Sequence, residues 1–154
     1  FRTPEIIGIN LPMIIAPPTL AKPGASTHAL TELLDLYPTI AELAGLPKPK
    51  HLEGASLVPV LKNPAATVKK AAYSQHPRPA YYQGAPKAMG YSMRTSDVRY
   101  TEWRNWKTGE IIARELYDHR VDSDENQNVV ATEVDLAQKL TVRMNIQFPP
   151  MAHP

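Results

Sequence analysis

The chain has 154 residues, with 17 basic and 15 acidic side chains (net charge +2), sixteen prolines and no cysteine. That length fits one domain or one and a fraction, and a 43% hydrophobic share supports a modest core. The near-neutral charge, without a Lys or Arg run beyond two, excludes a polycationic nucleic-acid binder; the missing cysteine excludes disulfides, thiolate zinc and a cysteine nucleophile. No apolar run reaches the roughly 20 residues of a membrane helix, so neither nucleic acid nor membrane is expected as a partner.

The chain opens on Phe1-Arg2-Thr3-Pro4-Glu5. It shows neither a signal-peptide pattern nor an initiator methionine, as expected of a trimmed chain. Prolines cluster at 12–23, 47–64, 77–86 and 149–154 and mark connections, because proline removes a backbone donor. Between Pro12 and Pro17, the continuous apolar run of residues 11–16 predicts a strand buried on both faces.

Residues 28–34 are expected to lead, extended, into a helix capped by Asp35. That choice puts Pro38 in the first turn, where its missing N–H costs nothing. The helix would run over 36–44, bury Ile40, Leu43 and Ala44, and stop at Gly45 and Pro47. Residues 46–70 read as a surface connection anchored by Leu52, Leu57, Val58 and Leu61.

The second half changes character. Short strands are predicted at 71–75, 89–95, 98–103 and 115–118, with hairpin turns at Ser96-Asp97 and Thr108-Gly109. A Pro-, Tyr- and Gly-rich loop fills 76–87. A helix is expected from Thr132 onward, with an acidic first turn and a stripe of Leu136, Leu140, Met144 and Phe148 for the sheet; Pro149-Pro150 ends it.

The expected fold class is α+β: a small antiparallel sheet of about four strands covered by a C-terminal helix. Before it comes the last strand–helix piece of a larger α/β core. In domain terms, 1–46 end that α/β domain, 47–70 connect, and 71–154 form the sheet-plus-helix subdomain.

Chemical motifs are sparse. The five histidines show no zinc-ligand spacing. Asp122, Asp124 and Asn126 alternate as in a calcium loop but lack its glycine and distal glutamate, so they read as solvated turn residues. Nucleophile elbow, P-loop and dinucleotide fingerprint are absent. Arg94, Arg99 and Arg104 are expected to pair with acids across the sheet. The segment 73–87 is the most suggestive, because long ordered loops often carry function. It displays Gln75, His76, Arg78, Tyr81, Tyr82 and Lys87, where tyrosines could stack on a sugar and a cation bind an anionic group; packing on its own aromatics is the competing reading.

Several segments together resemble sulfatases. Residues 35–47 are similar to the helix after their last core strand, and 52–59 to the segment that follows. Residues 94–100, 115–118 and 122–126 resemble the sheet and turn of their C-terminal subdomain. Tyr73-Ser74-Gln75-His76-Pro77-Arg78-Pro79 and residues 89–95 narrow the likeness to the iduronate-2-sulfatase-like branch. The resemblance implies an alkaline-phosphatase-like superfamily fold and a hydrolase of sulfate esters, with sulfated uronic sugars or glycosaminoglycans as substrate class. It implies a formylglycine made from a Cys/Ser-x-Pro-x-Arg motif, calcium as cofactor of the complete enzyme, and export to a periplasmic, extracellular or lysosomal compartment.

That motif does not occur here, and the family's sulfate-binding lysine falls at Phe1, which cannot serve. No catalytic residue and no metal ligand is therefore assigned to this chain. It is expected to be inactive alone, with the upstream catalytic portion of a sulfatase as its partner. Lys87, His76 and Arg78 are the expected substrate-facing residues, Lys87 for a sugar carboxylate. The alternative is a free-standing, non-catalytic module binding glycan or a partner through the same loop.

Overall fold

The computed structural model describes residues 12–81 and 83–151. The chain divides into two compact units, Phe1–Lys70 and Ala71–Pro154.

In the first unit a 3₁₀ turn, Leu33–Asp35, leads into helix α1, Leu36–Leu43; a short helix α2, Val58–Lys62, packs against α1. The expected lead-in is thus extended only up to the 3₁₀ turn. Asp35 sits at the N-cap position with helical angles, φ −75° and ψ −18°, and its side chain does not cap α1. Instead its Oδ2 accepts the Glu32 N–H at 2.7 Å, forming a capping box one turn earlier. Pro38 does fall inside the first turn and is buried.

The buried face of α1 reverses the expectation. Pro38, Thr39 and Ala41 are buried, whereas Ile40 is 63% and Leu43 41% exposed. The inward side is polar because segment 54–58 lies against it with free backbone donors: Ala55 N–H reaches Asp35 Oδ1 at 2.8 Å and Leu57 N–H reaches Thr39 Oγ1 at 2.8 Å. That approach needs glycine at 54, since a Cβ there would lie 2.1 Å from the Leu34 carbonyl oxygen. Lys69 completes the cluster with ion pairs to Glu32 and Asp35. Leu57, Val58 and Val60 are the buried apolar residues of the connection.

The strand predicted at 11–16 is not formed over 12–16; Leu11 lies outside the described residues. Residues 12–16 pair with no described strand, and Ile14 is 91% exposed.

The second unit is a four-stranded antiparallel meander of order β1-β2-β3-β4. The strands are Ala72–Arg78, Ala88–Arg94, Val98–Asn105 and Ile111–Asp118. Helix α3, Val134–Gln147, covers one face. The expected α+β arrangement holds. β1 runs three residues further than predicted because its pairing with β2 continues through His76↔Gly90 to Arg78↔Ala88, leaving 79–87 as the connecting loop. Residues 95–98 form the expected tight turn, closed by Thr95 N–H on the Val98 carbonyl at 2.9 Å.

Alternation sorts the sheet into two faces. Met93, Val98, Tyr100 and Leu116 meet Ala137, Leu140 and Met144 of α3, with Tyr73, Tyr91, Leu136 and Phe148 around them. The stripe read from the sequence is therefore the stripe that packs. A polar network lies within this interface. Glu102, fully buried, accepts Tyr100 Oη–H at 2.9 Å and two Arg104 N–H groups at 3.0 and 2.7 Å. Arg104 also reaches Asn145 Oδ1 at 2.9 Å and the Phe148 carbonyl at 2.6 Å, capping the C-terminus of α3. Burial pushes the Tyr100 phenol up to about 12, keeping it a donor.

On the opposite face Gly90 is paired with Trp103. A Cβ at 90 would come 2.7 Å from the indole ring, which is 2% exposed. Gly90→Ala should therefore destabilise the sheet unit by about 1–3 kcal/mol, the usual effect of overpacking. Urea unfolding followed by Trp fluorescence checks this; a wild-type midpoint would mean the ring has room to shift.

Candidate functional site

The segment singled out in the sequence becomes a strand end and a loop. His76 and Arg78 alternate onto the same face of β1 as Gly90 and, beyond it, Trp103. His76 is exposed. The Arg78 guanidinium lies 3.6 Å from the centre of the Trp103 ring, a cation–π stack, and the indole Nε1–H donates to Glu115 Oε1 at 3.1 Å. Arg78 is thus held flat and in place, with a guanidinium edge suited to a planar anion.

Lys87 is exposed, and its backbone is fixed on both sides. Its N–H donates to the Arg78 carbonyl at 2.8 Å, and its carbonyl accepts the Trp106 N–H at 3.1 Å. The structure therefore brings Lys87 beside Arg78, with His76 two residues along the strand. Tyr81 is 96% exposed, and Tyr82 lies outside the described residues. Sequence reasoning missed Trp103 as the platform. The signal was present in the strand alternation, which puts Trp103 across a glycine from β1.

A second cluster lies at the other end of the sheet. Glu125, buried and at φ 56°, forms an ion pair with Arg99 and meets His119 Nε2 at 2.6 Å. Burial, then the charges of Arg94 and Arg99, lower the His119 pKa below its ordinary value. The expected cross-sheet pairing of arginines is corrected here. Arg99 pairs with a loop glutamate and Arg104 with Glu102 two residues away on its own strand. Arg94 Nη1 is buried without a hydrogen-bond partner among the described residues, and burial lowers its pKa.

Asp122 accepts the Gln127 N–H at 2.8 Å and an Asn126 N–H at 3.2 Å, so it closes its own turn. Among the described residues no three His, Asp or Glu side chains converge on a metal position. The described carboxylates of this chain therefore do not fit a calcium site. No described helix is long and apolar enough to cross a membrane.

The four-strand antiparallel meander backed by one C-terminal helix is the arrangement of a sulfatase C-terminal domain. The family model for the N-sulphoglucosamine sulphohydrolase C-terminal region matches residues 7–148, and the chain belongs to that family. Among its relatives, mouse iduronate 2-sulfatase is 36% identical over 144 residues, covering 68% of this chain and 25% of that protein. N-acetylglucosamine-6-O-sulfatase of Bacteroides thetaiotaomicron is 32% identical over 124 residues, covering 78% and 21%. Arylsulfatase K of Xenopus laevis is 27% identical over 138 residues, covering 88% and 25%. A structure solved with its substrate D-glucosamine-2-N,6-O-disulfate superposes with a TM-score of 0.54 at 28% identity, covering 75% of this chain and 24% of that one. The chain thus spans about a quarter of the length of the relatives it matches.

Proposed function

We propose that this chain serves as the C-terminal part of a sulfatase acting on sulfated uronic or amino sugars of glycosaminoglycans. The observation that carries the reading is the C-terminal sulfatase family match running through both units, residues 7–148. In this reading residues 1–46 end the catalytic α/β domain, 47–70 connect, and 71–154 wall one side of the substrate cleft. A catalytic portion, on the same or a separate polypeptide, supplies the formylglycine, the calcium ion and the sulfate chemistry. This chain supplies no catalytic group and is inactive alone. Export of the enzyme accords with the family resemblance.

Within the cleft wall, Lys87 binds the sugar carboxylate or a second sulfate, Arg78 presents its guanidinium edge, and His76 lines the approach. Cation–anion hydrogen bonds of this kind are worth about 1.5–3 kcal/mol, or roughly tenfold or more in affinity. The native gene product should release sulfate from a sulfated disaccharide. In it, Lys87→Ala should raise KM about tenfold and leave kcat unchanged, because the lysine holds the ground state and transition state alike. Unchanged KM and kcat would remove Lys87 from the cleft. Absence of any sulfate release from the native product, together with glycan binding by this chain, would favour the non-catalytic module.

A further inference from the structure

Strands β2 and β3 set arginine against arginine. Arg94 and Arg99 are direct partners in the ladder, on the face that alternates with the core residues Met93, Val98 and Tyr100. Like charges placed opposite each other repel, so the pair needs anions to hold it. Arg99 has one, the ion pair with Glu125. Arg94 forms no ion pair among the described residues, and its Nη1 is buried without a hydrogen-bond partner. Burial lowers its pKa; the charge of Asp97, exposed on the β2–β3 turn, offsets only part of that. A buried donor without an acceptor is rare in a native fold and calls for one. His119 is the third member of the cluster. Its N–H donates to the Asp97 carbonyl at 2.7 Å, and its Nε2 meets Glu125 Oε1 at 2.6 Å. Glu125 is 4% exposed and sits at φ 56°, an angle that residues with a side chain rarely adopt. One buried carboxylate thus serves Arg99 and His119, and Arg94 is left over.

We propose that Arg94, Arg99 and His119 form a site for a small tetrahedral oxyanion of the sulfate type. Arg94 pairs with Ala72 at the start of β1 and Arg78 with Ala88 at its end, so this site lies a strand length, about 20 Å, from Arg78. A guanidinium is a planar fork of N–H donors that suits an oxyanion. Arg94 is only half-buried, which gives an ion from solution access to it. The histidine couples the site to pH. Burial, then the charges of Arg94 and Arg99, hold the His119 pKa below its ordinary value, against the raising pull of Asp122 and Asp118. Asp118 is itself paired with Arg120, and Asp122 accepts the Gln127 N–H. An anion among these cations offsets their repulsion and raises the His119 pKa; by reciprocity, protonating His119 tightens the anion. Nε2 already serves Glu125, so the added proton goes to Nδ1. Affinity should therefore rise as pH falls through the lowered pKa of the ring. None of these contacts depends on the sulfatase reading.

The probe is inorganic sulfate, exchanged for chloride at constant ionic strength and added to the native gene product. Amide hydrogen exchange, located by peptide mass spectrometry, is followed over residues 94–99 and 117–126, so that sulfate bound elsewhere does not count. At about ten times its dissociation constant, expected near about 1 mM, sulfate should slow exchange in both segments about tenfold, because opening the site releases the ion. The ratio of rates with and without sulfate should be larger at about pH 5 than at about pH 8. His119→Gln should keep the response and lose that pH dependence. In Arg94→Gln the response should vanish. Without sulfate this variant should exchange no faster than wild type, because the substitution removes an unanswered cation beside Arg99. Faster exchange, or a failure to fold, in sulfate-free Arg94→Gln would overturn the site, since Arg94 would then already have its acidic partner in the native protein. A wild type that does not respond, or a response that survives Arg94→Gln, would overturn it as well. A sulfated disaccharide is run beside the ion. Slowing by sulfate alone restricts the site to the free ion, and slowing by both extends it to a sulfate group on a sugar. Slowing by the disaccharide alone would overturn a site for a small ion.

Discussion

Arg104→Leu should lower the stability of the sheet unit by about 3–5 kcal/mol, the loss found when one partner of a buried ion pair is removed. The size follows from what stays behind. Glu102 is 0% exposed and would be left without its cation. Asn145 Oδ1 and the Phe148 carbonyl, at the end of α3, would lose their donors as well. Leucine supplies the apolar bulk of the stem, so the change reads charge pairing more than cavity formation. For a unit of this size the melting midpoint should fall by more than about 10 °C. A calorimetric scan of wild type and variant measures it. The double variant Glu102→Gln/Arg104→Leu should recover part of the loss, because the uncompensated charge goes with the glutamate. A single variant melting within a degree of wild type would mean that water reaches Glu102 and that the network is ornamental.

This network also marks where sequence reasoning stops. The strands and the α3 stripe were legible because period-two and period-four patterns report which residues share a face. Met93, Tyr100, Leu116, Leu140 and Met144 follow that rule and form the core. The same alternation places Tyr100, Glu102 and Arg104 on the core face, where two charges look like errors in a strand pattern. Only the meeting with Thr141, Asn145 and Phe148 of α3 makes them consistent, and that meeting is a tertiary fact.

The first unit was read with the wrong face inward for a related reason. Apolar spacing in 33–44 identifies a stripe that wants a partner, but carries no information on whether the partner is in the same chain. Asp35 reads as a helix cap until segment 54–58 brings its backbone donors against it and Thr39. In the candidate site, His76, Arg78 and Lys87 were legible as polar residues of one segment. Their support was not: the Trp103 platform depends on β2 placing Gly90 between the two strands. The sulfatase likeness, by contrast, was legible from short motifs in a fixed order, and it survives the inversion of α1 because motifs record ancestry and burial records neighbours.

Asp35→Ala should have the second large effect, about 3 kcal/mol or more, confined to the first unit. The carboxylate accepts Glu32 N–H at 2.7 Å, Ala55 N–H at 2.8 Å and the Lys69 ammonium at 2.7 Å, all in a fully buried position. Each buried donor left without an acceptor costs about 1–3 kcal/mol. Lys69 keeps Glu32, so the two backbone amides suffer most. Asp35→Asn should do little better. Its oxygen can serve Ala55, but its NH₂ would then face the Glu32 N–H, donor against donor. Thr39→Val, which removes the acceptor for Leu57 N–H and the hydroxyl that donates to the Asp35 carbonyl at 2.6 Å, should cost less, about 1–2 kcal/mol. Amide hydrogen exchange at residues 32, 55 and 57 reads the three bonds one by one. Fast exchange at 32 and 55 in Asp35→Ala, with the strands of the second unit still protected, is the expected pattern. Unchanged protection at both amides would show that they have other acceptors. The inward-facing polarity of α1 would then have no structural cause.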